Sequence, residues 1–546
     1  MRLQIRNVSS LEKIFPEMSC FCAALDSASA LKNEVFAYQI AYKTDDVSHC
    51  DPIFRLEVES ELAEYICFYR SRCVPVLKPA FETEPDSEYL TRQPGLVPDV
   101  LEPYDGYVTA SHNMSSLWVD VKLDEKVAAG VYSIKVHFRE IESGEVWGTS
   151  EFQLEIIDAV LPKTDIPYTN WFHCDCISSY HNCEPLSERH WQLIDKYMQV
   201  AVEGGMNMIL TPLFTPPLDT QVGAERPTVQ LVDVAFADGK YTFGFDKLLR
   251  WFELCRKNGI EYLELSHLYS QWGAEKTPKI VVLEDGKLIK KFGWHTESMG
   301  EEYKEFIRQF IPALKEFLIA NWDKDKVYFH ISDEPSEKHI EFYGKISEFI
   351  KPLIGEFKQM DAMSDFELYE RGFIETPVVA TTSINDFLGK DIDNLWVYYC
   401  CGQGKFKLSN RFIAMPSWRN RIMGLQLYKF NIKGFLQWGF NFYYNQFSTH
   451  LINPYLINDS DGGFPAGDAF GVYPGIDCAI PSIRLKVFMH GLQDMMALKL
   501  AEQLVGRDKI DEIIKNVADF NSYPCDSAYI LNVREKVNKL IKDNIK

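Results

Sequence analysis

The strongest chemical signal in the chain is the run Val327-Tyr328-Phe329-His330-Ile331-Ser332-Asp333-Glu334-Pro335, an apolar strand that ends on two adjacent carboxylates. Two neighbouring carboxyls resist ionising together, so one of them is expected to keep its proton near neutral pH. A carboxyl that does so is a general acid, and glycosidic cleavage needs one at the leaving oxygen. Pro335 suits the first turn of a helix and drives Glu334 out of the helical region, which puts the pair at the carboxy-terminal tip of the strand. The competing task for Asp333 is to cap a helix starting at Pro335, but capping leaves the second carboxylate without a purpose. Neighbours on a strand point to opposite sides, so an acid and a nucleophile one position apart are awkwardly placed. Adjacency fits a different division of labour: the substrate's own 2-acetamido oxygen attacks, Asp333 holds the acetamido N–H, and Glu334 protonates the leaving group.

A pair of this kind needs a scaffold that brings strand ends together. From about Tyr168 onward strands alternate with helices, and eight strand candidates begin near Tyr168, Met206, Glu261, Val327, Phe357, Pro377, Leu395 and Gly434. Eight strands close a (β/α)8 TIM-like barrel, whose carboxy-terminal rim carries the chemistry. The apolar stripe Tyr303, Phe306, Ile307, Phe310, Ile311, Leu314, Phe317, Leu318 predicts one of its helices, and Ile340 to Leu353 a second. A third, Asp246 to Asn258, stops at Gly259. Three connections, Pro212 to Phe245, His267 to Gly300 and Asn441 to Ile480, far exceed the usual length, and the first two carry Asp-Gly hairpin turns at Asp238-Gly239 and Asp285-Gly286.

Before the barrel, Val35 to Tyr42, Ile53 to Val58, Glu64 to Arg70, Ser116 to Leu123, Val131 to Arg139 and Glu151 to Ile157 are β-rich runs with few helical periods between them. They predict an antiparallel β-sandwich. The expected organisation is a sandwich over residues 1–160, a catalytic barrel over 161–505 and a charged helical tail over 506–546. The sandwich is expected to shape the cleft or to form a homodimer contact.

The 546 residues carry a net charge of −21, which opposes binding to a phosphate backbone, so nucleic acid is not an expected partner. No apolar run reaches the length of a membrane span, and Arg2, Arg6, Glu12, Lys13 and Glu17 interrupt the start of the chain. These features point to a cytoplasmic protein with no membrane association. Thirteen cysteines without a CxxC pair are read as reduced thiols rather than as zinc ligands or a disulfide framework. Aromatic residues make up 14% of the chain, which suits either a large core or rings that stack on sugars.

Other positions on the expected rim have chemical uses. Trp438 could stack on a sugar or fill the barrel, and Asn441 lies just beyond the eighth strand. One of Tyr398 and Tyr399, by strand alternation, points inward, where its hydroxyl suits an acetamido carbonyl. Asp468 and Tyr473 lie on the long eighth loop. His173 and Asp175, with His267 from the third strand, open the rival reading of a metal-dependent hydrolase. Such barrels typically begin with His-x-His and here the second position is Asp, so hydrogen bonding to sugar hydroxyls is the preferred use of all three, with no metal or other cofactor.

Several segments in order resemble the glycoside hydrolase family 123 catalytic domain, often described only as DUF4091. They are HISDEP at 330–335, Gly434-Phe435-Leu436-Gln437-Trp438-Gly439-Phe440-Asn441, the loop from Pro465 to Gly475, and the helix start Pro481-Ser482-Ile483-Arg484-Leu485. Pro94 to Pro103 and Leu117 to Tyr132 resemble the β-sandwich that precedes that barrel. The resemblance implies a retaining β-N-acetylgalactosaminidase acting on a small glycan or glycoconjugate through an oxazoline-type intermediate. Asp333 would orient the acetamido group, and Glu334 would be acid and then base. A sugar-binding protein without catalysis is the non-enzymatic alternative.

Overall fold

The computed structural model describes residues 2–46, 51–81 and 86–545. At the amino-terminal end two five-stranded sheets pack on a shared apolar cluster that includes Tyr38, Leu117, Phe138 and Phe152. In spatial order the first sheet is Leu3–Ser9, Val35–Thr44, Ser115–Lys122, Ile66–Val76 and Gly95–Pro103. The second is Ser27–Lys32, Val146–Val160, Gly130–Glu140, Ile53–Glu59 and Val108–Thr109. All pairings are antiparallel except that of Ser27–Lys32 with Val146–Val160.

Four of these strands escape the alternation pattern. Gly95–Pro103 contains Pro98, which cannot donate to a ladder; it is tolerated because this is an edge strand and Pro98 faces Cys73 at a register shift. Ser27–Lys32 is poor in β-branched residues and is held by its parallel partner.

The second half contains a closed parallel barrel of eight strands: Tyr168–Asn170, Met208–Thr211, Tyr262–Leu265, Val327–His330, Lys358–Met363, Thr376–Ala380, Trp396–Tyr398 and Gly434–Gln437. Each begins within two residues of the expected start. Inward residues such as Met208, Leu210, Tyr328, Met360, Val378, Trp396 and Leu436 fill the interior. The helices are fewer than a regular barrel carries. Glu188–Glu203, Asp246–Asn258, Glu301–Asn321, Ile340–Ile354 and Ile483–Val505 are long, but the fifth connection has only Phe366–Glu370 and the sixth only the 3₁₀ turn Ile384–Asp386. Local chemistry sets the long ones: Ser187 and Ser482 accept N-cap hydrogen bonds, and Gly259 ends its helix at φ 84°. Gly424 lets one helix touch another, since a Cβ there would fall 1.8 Å from the Gly491 carbonyl oxygen.

Both expected Asp-Gly hairpins form, Asp233–Ala237 with Lys240–Gly244 and Ile280–Glu284 with Lys287–Phe292. Asp238, Gly239, Asp285 and Gly286 all have positive φ, as a two-residue primed turn requires. The hairpins then pair with each other into a four-stranded sheet, so two long rim loops stiffen one another.

One apolar cluster runs from sandwich residues such as Val97 and Trp118 into the barrel helices. Buried ion pairs cross the same boundary: Arg484 with Asp99, Lys486 with Asp120, and Arg534 of the terminal helix Ser527–Asn544 with Glu34. That helix is therefore part of the packed body rather than a loose tail. No helix among the described residues is long and apolar enough to cross a membrane.

Candidate active site

The fourth barrel strand ends at His330, and the chain stays extended until Glu334, whose φ is +47°. A positive φ is costly for a residue with a side chain and is typical of functional sites. Here it breaks the strand alternation, so Asp333 and Glu334 line the same cavity. The helix expected at Pro335 begins later, as the 3₁₀ turn Glu337–His339 followed by Ile340–Ile354, with no side-chain cap. Asp333 therefore does not cap it. Instead its carbonyl accepts the Trp272 N–H at 2.8 Å, strapping the third loop to the pair.

Burial, and next the charge of Glu334, hold the Asp333 carboxyl well above the ordinary carboxylate range. Glu334 accepts a hydrogen bond from the Tyr398 hydroxyl at 2.5 Å. Tyr398 is thus the inward member of the tyrosine pair. Tyr399 points outward, packs on Phe435, and donates to Asn420 at 3.1 Å.

Beneath the pair lies a buried charge network that the sequence reading did not assemble. Glu264, on the third strand, accepts hydrogen bonds from Thr169 (2.6 Å) and the Trp171 indole (2.7 Å), and contacts His330 Nδ1 at 2.8 Å. His330 Nε2 lies 3.5 Å from Asp361, which also accepts a short hydrogen bond from Tyr343. Burial disfavours charge on His330, but its contacts with Asp361 and Glu264 outweigh that and lift it to about 10, so it is an imidazolium. The His267 ring lies tilted against it with centroids 4.0 Å apart, and burial followed by the His330 charge keeps His267 neutral.

His267, His330 and Asp333 bring ligand-type atoms within 4.8 Å of one another. Each ring nitrogen of His330 faces a carboxylate of the chain itself, Glu264 at 2.8 Å and Asp361 at 3.5 Å, so the ring is placed by these two groups. The trio named for the rival reading does not assemble. Asp175 forms a buried bidentate pair with Arg226 (2.6 and 2.7 Å), and a guanidinium occupies the place a cation would need.

The cavity holds roughly 590 Å³ of unfilled space, open solvent included. Its lining includes Trp171, Ala362 and Leu436 from the barrel interior, Tyr398, Cys400, Cys401, Trp438 and Phe464 around them, and the loop residues Leu218, Asp219, Gln271 and Trp272, of which Trp272 is exposed at the mouth. A hydrogen bond with Cys401, together with burial, keeps the Cys400 thiol protonated, so it is no nucleophile. Among the described residues no sandwich side chain lines this cavity.

Asp468 is fully buried; burial raises it to about 7, and its carboxylate accepts the Trp438 indole N–H at 2.9 Å. It positions the wall tryptophan and does not itself face the cavity. Five further candidates also lie outside the lining, which corrects their expected role as sugar contacts: His267, placed against His330, and the four that follow. Tyr473 donates to Asp99 at 2.7 Å in the sandwich–barrel interface. Asn441 clamps the His173 backbone through both amide atoms (2.8 and 3.1 Å). His173, pushed down to about 3 by burial and by Arg226, contacts the Trp438 carbonyl at 2.9 Å. Asp175 holds Arg226, which also donates to the Leu218 carbonyl at 3.0 Å and so fixes the mouth.

Removing Arg226 strands a buried carboxylate. Arg226→Met is expected to cost about 3–5 kcal/mol in urea unfolding, whereas Arg250→Met, at an exposed pair with Glu188, should cost less than about 1 kcal/mol. Equal midpoints for the two variants would contradict the structural role given to Arg226.

The sequence matches the glycoside hydrolase 123 catalytic domain over residues 171–501. The chain belongs to glycoside hydrolase family 123. A family 123 glycoside hydrolase from Clostridium perfringens, known for its hydrolysis of glycolipid glycans, has the same fold. It shares 15% sequence identity at a TM-score of 0.70, over 99% of this chain and 97% of that one. A family 5 mannosidase from Rhizomucor miehei is much more distant, with 11% identity and a TM-score of 0.32 over 61% of this chain and 94% of its own. No curated protein matches the chain. As a family 123 member the protein is a glycoside hydrolase, and glycans or glycoconjugates are its substrate class.

Proposed function

We propose that this family 123 protein removes a terminal β-linked N-acetylhexosamine by retaining, substrate-assisted catalysis. The observation that carries the reading is the shared cavity position of Asp333 and Glu334, made possible by the left-handed backbone at Glu334. Two carboxyls reaching a sugar from neighbouring chain positions suit an acid and an orienting group. Acid and nucleophile would instead have to flank opposite faces of the ring.

In the first step the acetamido carbonyl oxygen bonds to the anomeric carbon as the glycosidic C–O bond breaks, and Glu334 gives its proton to the leaving oxygen. Asp333 accepts the acetamido N–H and stabilises the positive charge that develops on the ring being formed. Water then attacks the same carbon from the opposite face as the bond from that carbon to the acyl oxygen breaks and the acetamido group re-forms; Glu334 takes the water's proton, and two inversions leave the configuration retained. In the free protein Asp333 holds its proton, because burial and the neighbouring Glu334 charge raise its carboxyl. An arriving N–H donor favours ionised Asp333, and the proton it releases is the one Glu334 delivers to the leaving oxygen. Trp438, held by Asp468, is the platform for the terminal ring. The galacto configuration is the one that the family resemblance supports. The test is release from aryl β-N-acetylgalactosaminide and β-N-acetylglucosaminide; no release from either between pH 4 and 8 would overturn the reading.

A pH prediction follows. The singly protonated pair is the active form, and its second proton leaves a buried carboxyl beside a charged one. Activity should therefore persist above the ordinary carboxylate range and fall only as pH rises past the raised value of Asp333. A kcat/KM profile that already declines as pH rises from 4 to 5 would contradict this.

A further inference from the structure

Trp272 does not pack as a large apolar side chain usually does. Its residue is 48% exposed at the cavity mouth, and it lies in a run of three positive φ values: Trp272 at 57°, Gly273 at 125° and Ala274 at 60°. Such backbone persists only where the surroundings impose it. Here the Asp333 carbonyl binds the Trp272 N–H, Gln271 forms a bridge with Asp333, and a Cβ at Gly273 would fall 2.9 Å from the His339 ring.

A second exposed ring, Phe447 (38%), comes from the eighth loop with φ 65° and meets Trp272 edge-on at 6.3 Å. Asp219 joins these loops. Its N–H donates to Gln271 at 2.7 Å, its carboxylate accepts the Phe447 N–H at 3.2 Å, and its carbonyl accepts the Ser448 hydroxyl at 2.8 Å. Three rim loops thus hold an indole and a carboxylate at the opening, on strained backbone tied to the catalytic pair.

We propose that Trp272, supported by Phe447 and Asp219, is the subsite for the second pyranose of the substrate, on the leaving-group side. The inference rests on the glycosidase reading above and extends it to the substrate's size. The barrel floor closes the cavity, so a terminal sugar enters first and lies by Trp438, and the residue it is linked to lies at the mouth. An indole face suits the apolar C–H face of a pyranose, and a carboxylate beside it suits hydroxyl donors. The protein is therefore built for glycans of at least two sugars.

The test compares three substrates of the preferred N-acetylhexosamine: the methyl glycoside, a disaccharide with a second hexopyranose, and the octyl glycoside. In Trp272→Ala and Trp272→Leu the kcat/KM ratio of disaccharide to methyl glycoside should fall about tenfold or more, because Leu keeps apolar bulk but has no π face. Trp272→Phe should retain most of the ratio. An unchanged ratio in folded variants overturns the subsite, and an equal fall for the octyl glycoside overturns it in favour of an apolar aglycone site. Wild-type protein that cleaves none of the three overturns the glycosidase reading itself, and the subsite with it.

Discussion

Glu334→Gln should lose about a hundredfold to ten-thousandfold in kcat/KM on a disaccharide, the usual contribution of a general acid. On a 2,4-dinitrophenyl glycoside the same variant should lose less than about tenfold, because that leaving group departs without a proton. The contrast tests the acid assignment more sharply than loss of activity does, since a misfolded variant fails on both substrates. The amide keeps the size of the side chain and its capacity to accept the Tyr398 hydroxyl, which limits structural disturbance. Equal losses on the two substrates would show that Glu334 does not protonate the leaving oxygen.

Asp333→Ala should behave differently. A residue that orients the acetamido group and stabilises charge on the forming ring is needed whatever the leaving group, so the loss should be about a hundredfold to a thousandfold on both substrates. If Asp333→Ala showed the leaving-group dependence assigned to Glu334, the two roles would have to be exchanged. The variant also removes the buried carboxyl that holds the shared proton, so the basic limb of the pH profile should move with it.

The barrel and the place of the carboxylate pair at the end of its fourth strand were legible because each rests on short-range signals. Buried parallel strands are continuous apolar runs, and the pair follows one of them directly. The same local logic indicated that one of Tyr398 and Tyr399 faces inward. It failed where position depends on partners distant in sequence. Ser27–Lys32 has little strand character of its own and is fixed by residues 153–160. Trp272, Asp219 and Phe447 lie on loops with no period, and only folding brings them to one mouth.

The charge network under the pair left a signal that was not used. Glu264 is a carboxylate inside the buried strand Tyr262–Leu265, and His330 stands in step with the inward Tyr328. Charged residues on inward strand positions must find each other, and these do. In the other direction, His173, Asp175 and Asn441 have the residue types of a binding site but are used to pin loops. Residue type and rim position cannot separate a group that touches substrate from one that holds the group that does.

The network also explains why the pair keeps its unusual state. The His330 imidazolium favours ionisation of Asp333, while burial and Glu334 oppose it. A hydrogen bond donated to Asp333 would act in the same direction as His330, toward the ionised form.

The most direct test of substrate assistance is kcat/KM for aryl β-N-acylhexosaminides whose acyl group is acetyl, fluoroacetyl, difluoroacetyl and trifluoroacetyl. If the acyl oxygen is the nucleophile, each fluorine weakens it, and the rate should fall steeply along the series. A flat series would mean that a protein group or water attacks instead, and would contradict the mechanism assigned to Asp333 and Glu334.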